Sequence, residues 1–234
     1  MSADDIVLKI SGTGQSHPGN LFAPSSMCLK RGQTTALLGR SGTGKSTLLK
    51  LIAGLYDLPD TIEITGLDTD EKRTYMTQEV ELLPWFNVEE NTWIGDRLRG
   101  QTPDRSEVLH LLKQLDLEGH TEKFPRELSG GMAQRVALAR TLFEKADLNL
   151  LDEPFAALDA LTRRTLQNTL NKHFQAKTVL IITHDPVEAA RLADTCYLLR
   201  ATAEDKTSEI VLFEAFGSTV DETYEHLFKA LQTT

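Results

Sequence analysis

Nine consecutive residues, Gly39, Arg40, Ser41, Gly42, Thr43, Gly44, Lys45, Ser46 and Thr47, satisfy the pattern G-x-x-x-x-G-K-[ST]. They follow an apolar stretch at 34–38 that reads as a strand and precede a helical pattern through Leu48, Leu49, Leu51 and Ile52 that ends near Gly54. Glycines at 39, 42 and 44 let the backbone wrap around an anion with no Cβ in the way. The N–H groups of the turn and of the helix start then point at phosphate oxygens. Lys45 brings positive charge to the β- and γ-phosphates, and the Ser46 hydroxyl is suited to a Mg2+ ligand.

A second chemical element closes the apolar run at 148–151, where Asp152 and Glu153 are followed by Pro154. Acids at the carboxyl end of a strand in an open α/β sheet stand where ligands collect. Alternation along the strand sends the two side chains in opposite senses, so they divide the work. Asp152 is placed to hold the metal, and Glu153 to orient and deprotonate an attacking water. Asn149 is polar inside a run that should be buried and needs a hydrogen-bond partner. A third element, Ser129, Gly130, Gly131 and Met132 followed by Ala-Gln-Arg, puts a Ser-Gly-Gly turn at a helix start, a second terminus suited to an anion.

The elements that position these groups alternate between strand and helix, which predicts a mainly parallel sheet flanked by helices. Residues 6–10, 34–38, 148–151, 178–183 and 196–200 read as strands, and 11–26, rich in Gly, Ser and Pro, as loop or irregular edge. Residues 85–128 read as broken helix, the clearest piece starting at Thr102 as N-cap with Pro103 at the first helical position. Its apolar face is Val108, Leu111, Leu112 and Leu115. A last helix, capped near Ser218, carries Val220, Tyr224, Leu227, Phe228 and Leu231 along one face. The 234 residues suit one domain, 1–234, with a catalytic core over 1–84 and 129–234 and a helical subdomain inserted at about 85–128.

Composition narrows the classes. Hydrophobic residues at 40% and charged ones at 25% fit a globular chain, and a net charge of −9 argues against nucleic acid as a partner. No apolar run approaches the roughly 20 residues needed to span a bilayer. The start Met-Ser-Ala-Asp-Asp is acidic where a signal peptide is basic. Cys28 and Cys196 have no metal-ligand spacing and read as free thiols.

Together, the phosphate loop, the 129–132 turn and the Asp152-Glu153 pair resemble the signature of the ATP-binding-cassette (ABC) ATPases. The resemblance runs in order from about residue 6 to 200 and extends to Gln78 (the family's Q-loop), Asp159 (the D-loop) and His184 (the switch histidine). It implies a P-loop α/β fold with an antiparallel β edge and an inserted helical subdomain, and ATP hydrolysis with Mg2+ held by Ser46, Gln78 and Asp152. It also implies a head-to-tail pair of chains, each phosphate loop facing the other chain's Ser129, Gly130, Gly131 and Met132. Glu153, His184, Gln78 and Lys45 would carry catalysis, and Asp159 would couple the two sites. Met132 stands where the commonest form of the signature has Gln, as it does in similar importer ATPases. His17 and Phe22 are the candidates for stacking on adenine.

Leu-Leu-Pro before Trp85, with the 129–135 and 152–159 segments, resembles the nitrate, sulfonate, taurine and thiamine-precursor importers. That implies a peripheral motor on the cytoplasmic face of the inner membrane, docked to a permease near Gln78 and Trp85 and served indirectly by an extracytoplasmic solute-binding protein. Trp85 reads equally well as a core aromatic. An export ATPase shares the same motor. Repair and chromosome relatives need long heptad arms, for which 85–128 is too short and too broken by Pro103 and Pro125.

Overall fold

The computed structural model describes residues 6–16, 19–58, 60, 62–66, 71–201, 208–213 and 219–232. Its strands are β1 (Ile6–Ser16), β2 (Gly19–Lys30), β3 (Thr34–Gly39), β4 (Ile62–Thr65), β5 (Arg73–Met76), β6 (Leu148–Asp152), β7 (Thr178–Thr183), β8 (Thr195–Ala201) and β9 (Ser208–Phe213). Its helices are α1 (Lys45–Ile52), α2 (Val88–Thr92), α3 (Ile94–Leu98), α4 (Arg105–Gln114), α5 (Gly130–Phe143), α6 (Ala160–Phe174), α7 (Pro186–Leu192) and α8 (Val220–Gln232). All nine strands join one sheet in the order β4-β1-β2-β9-β8-β3-β7-β6-β5. From β8 through β3, β7 and β6 to β5 the pairing is parallel, whereas β1 pairs antiparallel with β2 and β4, and β9 antiparallel with β8. The expected α/β fold with an antiparallel edge is the observed one.

The central strands are buried on both faces and therefore read as continuous apolar runs. Their alternation splits the core in two. Leu37, Leu148, Leu150, Leu180 and Ile182 face α1 and the antiparallel edge. Ala36, Leu38, Leu151, Val179 and Ile181 face the layer built from α2, α4, α5, α6 and α7. Asp152 has the same parity as Leu148 and Leu150, which directs it to the α1 side. Asn149 finds its partners: its Oδ1 accepts from Thr74 Oγ1 at 3.2 Å, and its Nδ2 donates to the Ala146 and Thr178 carbonyls at 3.3 and 3.4 Å.

Several expectations are corrected. Residues 11–26 form most of the β1–β2 ladder, although register shifts flank Gly14, so this is an irregular edge and not a loop. The four-residue β4 and β5 are too short to be read as strands from sequence, and β9 is not among the strands read there either. Helix α4 is capped by Asp104, whose Oδ1 accepts from Ser106 N at 2.9 Å, and not by Thr102; Pro103 therefore lies outside the helix. The apolar face itself is as expected, with Val108, Leu111, Leu112 and Leu115 all buried. Ser218 lies outside the described residues, and Thr219 Oγ1 accepts from Glu222 N at 3.2 Å at the start of α8. On that helix Leu227 is fully buried, whereas Val220 and Phe228 are exposed and Phe228 stacks on Tyr224. Cys28 and Cys196 are free.

Candidate functional site

Strand register assembles the site. Leu38 pairs with Thr183, Asp152 with Ile182, and Gly39 with Leu199, so the loops that leave β3, β6 and β7 emerge side by side at one edge of the sheet. Gly39 is needed there, because a Cβ would run into the carbonyl oxygen of Leu199 on β8. Gly42 and Gly44 take φ of +83° and +95°, left-handed conformations that side-chain-bearing residues rarely adopt.

Helix α1 starts without a side-chain cap, and its first ladder bond runs from Leu48 N to Gly44 O at 3.0 Å. The N–H groups of Lys45, Ser46 and Thr47 thus precede the ladder. They border a cavity of about 270 Å3 lined by Ser41, Gly42, residues 44–47, Gln78 and Glu153. Lys45 is buried, and its Nζ donates to the Gly39 and Arg40 carbonyls at 2.8 Å each. Desolvation lowers its pKa, opposed by the negative charges of Glu153 and Asp152. An ammonium already stripped of water and aimed along the loop is suited to a polyphosphate.

Asp152 is 1% exposed. Burial raises its pKa, opposed by a hydrogen bond from Ser46, and Tyr75 Oη lies 3.5 Å from its Oδ2. Its Oδ1 is buried without a hydrogen-bond partner. A buried, orphaned carboxylate oxygen beside a serine hydroxyl fits a divalent cation, and Mg2+ sites use one or two carboxylates plus substrate phosphates. No group of three or more His, Cys, Asp or Glu side chains could hold a metal among the described residues, so a cation here depends on the phosphates for further ligands.

Glu153 leaves the strand direction with φ of +47°, a strained conformation for a side-chain-bearing residue. Three hydrogen bonds hold it there: its N–H donates to Ile182 O at 2.9 Å, and its carbonyl accepts from Gln134 Nε2 and from Ala156 N at 3.2 Å each. Its carboxylate Oε2 lies 3.1 Å from His184 Nδ1. Gln134 is 2% exposed and comes from α5, the helix that the Ser-Gly-Gly turn opens. Sequence reading missed both Gln134 and Tyr75, since each reaches the acids across the fold with no local signal.

The remaining candidates stand apart from this cavity. Ser129 caps α5, its Oγ accepting from Met132 N at 3.2 Å; Ser129 and Gly130 are exposed, and Met132 packs on the core. Asp159 caps α6, its Oδ1 accepting from Leu161 N at 3.1 Å and Thr162 N at 3.0 Å, and bonds to Thr162 hold its carboxyl below the usual range. None of Ser129, Gly130, Gly131, Met132 and Asp159 lines the phosphate cavity of its own chain. Trp85 is 65% exposed and so is not a core aromatic. His17 and the side chain of Phe22 lie outside the described residues.

A doubly flanked, mainly parallel sheet with a glycine loop, a strand-end carboxylate pair and a histidine at its carboxyl edge defines a P-loop nucleotide hydrolase. The family model described as ABC transporter matches residues 22–156. The chain is 44% identical over 176 residues to the aliphatic sulfonates import ATP-binding protein of Granulibacter bethesdensis, covering 74% of this chain and 71% of that one. With the corresponding protein of Shouchella clausii the identity is 40% over 218 residues, covering 91% and 84%. An ATP-binding subunit of an ABC transporter superposes with a TM-score of 0.75 at 25% identity, covering 95% of this chain and 99% of that one. A dimeric ATP-binding cassette, solved in a post-hydrolysis state with ADP and Pi, superposes with a TM-score of 0.73 at 27% identity, covering 89% and 100%. The chain belongs to the ABC transporter family, as an ATP-binding domain, and is an ATPase.

Proposed function

We propose that the chain is the ATP-hydrolysing motor of a bacterial ABC importer for small anionic solutes of the sulfonate type. The observation that carries the catalytic half is the His184–Glu153 contact of 3.1 Å at the mouth of the phosphate cavity. In this reading residues 39–47 cradle the triphosphate and Lys45 stabilises charge on the β- and γ-phosphates. Glu153 takes a proton from water as the water oxygen attacks the γ-phosphorus; the bond to the β,γ-bridging oxygen breaks, and that oxygen departs with ADP. His184 holds the Glu153 carboxylate in line and donates to the γ-phosphate. Ser46, Gln78 and Asp152 would hold Mg2+, which would neutralise the phosphate charge.

The exposed Ser129 and Gly130, which open the Ser129–Met132 turn and do not line their own chain's cavity, support a second copy as the partner: each chain's α5 terminus would face the other's triphosphate. Permease subunits would dock where Gln78 and the exposed Trp85 lie, and a solute-binding protein would act through them. No helix among the described residues is long and apolar enough to cross a membrane. As the ATPase of an import system like those of its relatives, the chain would sit peripherally at the cytoplasmic face of the inner membrane. Residues 1–84 and 129–234 would act as the catalytic core, with about 85–128 as the helical part that transmits its motion. The import reading rests on the printed roles of the sulfonate relatives. Purification of the native complex tests it: a co-purifying permease and solute-binding protein support import, whereas a permease whose ATPase activity is stimulated only by cytoplasmic solute contradicts it.

A further inference from the structure

Arg163, in the first turn of α6, touches three segments of chain. Its Nη2 donates to the Leu158 carbonyl at 3.1 Å, and its Nη1 lies 3.4 Å from Asp185 Oδ2. Its Nε is 3.8 Å from Glu188 Oε1, an ion pair too long for a hydrogen bond. Both acids belong to the backbone that carries His184. Asp185 follows it directly and caps α7 through Val187 N at 2.8 Å. Glu188, 4% exposed, accepts the Thr183 hydroxyl at 2.5 Å, and Thr183 Oγ1 in turn accepts the Asp185 N–H at 3.0 Å. The residues on either side of His184 are therefore tied, through one network, to a single guanidinium.

The other end of that guanidinium holds the segment that packs on the opening of α5. A Cβ on Gly131 would stand 3.3 Å from the Ala157 carbonyl and 3.4 Å from Leu158 Cδ2. Residues 157–158 are thus in contact with the Ser-Gly-Gly turn on one side and with Arg163 on the other. A guanidinium is planar and rigid, so a displacement of the Leu158 carbonyl passes to Asp185 in a way a flexible ammonium would not reproduce.

We propose that Arg163 is a positioning residue that couples the two nucleotide sites within one chain. It links the Ser129–Gly131 face, which serves the partner's triphosphate, to the His184–Glu153 pair, which serves the chain's own. Engagement of the partner's phosphate at the α5 opening shifts 157–158, and Arg163 carries the shift to the backbone that aims the His184 ring. The inference rests on the two-copy reading given above.

The test uses the full chain and compares the wild type with R163M and R163K, measuring ATP turnover against ATP concentration, fluorescent-nucleotide affinity and thermal melting. The wild type is expected to show sigmoidal ATP dependence. R163M should lower kcat about tenfold and turn the curve hyperbolic while nucleotide affinity stays within about twofold of wild type. R163K, which keeps the charge without the fork, should recover turnover but not sigmoidality. Wild-type kcat and sigmoidality in R163M would overturn the inference, as would a loss of nucleotide affinity in step with turnover, the mark of a merely structural role. Should R163M fail to fold, R163K decides alone: a fully sigmoidal R163K overturns the proposal, and a folded, hyperbolic one supports it. A wild type that stays hyperbolic and monomeric with ATP would instead defeat the two-copy reading itself.

Discussion

Gln134 donates its side-chain N–H to the carbonyl of Glu153 at 3.2 Å, joining the helix that opens with the Ser-Gly-Gly turn to the residue proposed to activate water. Glu153 is strained, with φ of +47°, and this bond is the one side-chain contact among three hydrogen bonds to its backbone groups, the others running to Ile182 O and from Ala156 N. Replacing Gln134 by Leu removes the side-chain tie from α5 and leaves the Glu153 carbonyl only the Ala156 N–H of its own turn. Turnover should fall roughly 10- to 100-fold through misplacement of the carboxylate, with nucleotide affinity unchanged. Steady-state kinetics beside a nucleotide titration checks this split.

Lys45 has the opposite profile. Its ammonium is buried against the Gly39 and Arg40 carbonyls and directed along the loop. Lys45→Ala should weaken ATP binding about 10- to 100-fold, the loss of one or two charge-assisted hydrogen bonds. Fluorescent-nucleotide titration reads it directly; an unchanged affinity would contradict the role given to the loop.

Asn91 is fully buried and fastens the turn that presents Trp85. Its Oδ1 accepts from Leu83 N at 2.8 Å, and its Nδ2 donates to the Leu83, Phe86 and Asn87 carbonyls at 3.1, 2.8 and 3.0 Å. Asn91→Ala takes the side-chain partner from Leu83 N and the Phe86 carbonyl, while the Leu83 and Asn87 carbonyls keep the N–H groups of residues 86 and 91, and should cost about 3 kcal/mol of stability. Urea unfolding measures the loss, and greater quenching of tryptophan fluorescence should report the loosened turn.

The Glu188 carboxyl is pushed up from its ordinary 4.5 to about 7, chiefly by burial and against the hydrogen bond from Thr183. Between those two values the folded chain retains a proton that the unfolded chain has released. The contribution of this group to stability is therefore fully present below about 4.5 and is lost as pH rises through about 7. Glu188→Gln cannot lose a proton, so its melting temperature should fall less than that of the wild type between about pH 5 and about pH 8. Parallel curves for the two proteins would contradict the buried placement.

What could be read from sequence was what is written locally. Residues 39–47 carry their own glycines and lysine, and the apolar runs ending at Asp152 and Thr183 need no partner to be recognised as strands. The β1–β2 hairpin was obscured because Gly12, Gly14 and Gly19 interrupt its alternation, and β5 because four residues hold too little of it. Tyr75 was hidden with β5, and Gln134 looked like one more polar residue on a helix. Tyr75 matters only because the parallel β5–β6 register carries it to Asp152, and Gln134 only because α5 packs its buried side chain against the Glu153 carbonyl. The cap of α4 was misplaced by two residues, since Thr102 followed directly by Pro103 is itself a favoured helix start, which competes with Asp104, whose carboxylate accepts from Ser106 N.

In the two-copy reading, triphosphate is clasped between two chains, one chain's phosphate loop facing the other's Ser129–Gly131. Light scattering on Glu153→Gln tests it, because loss of the carboxylate proposed to activate water should cut hydrolysis about 100-fold or more while leaving ATP bound. The expected result is a monomer without nucleotide and, with ATP, a particle of twice the mass holding one ATP per chain. A chain that binds ATP with full occupancy and remains a monomer would contradict it.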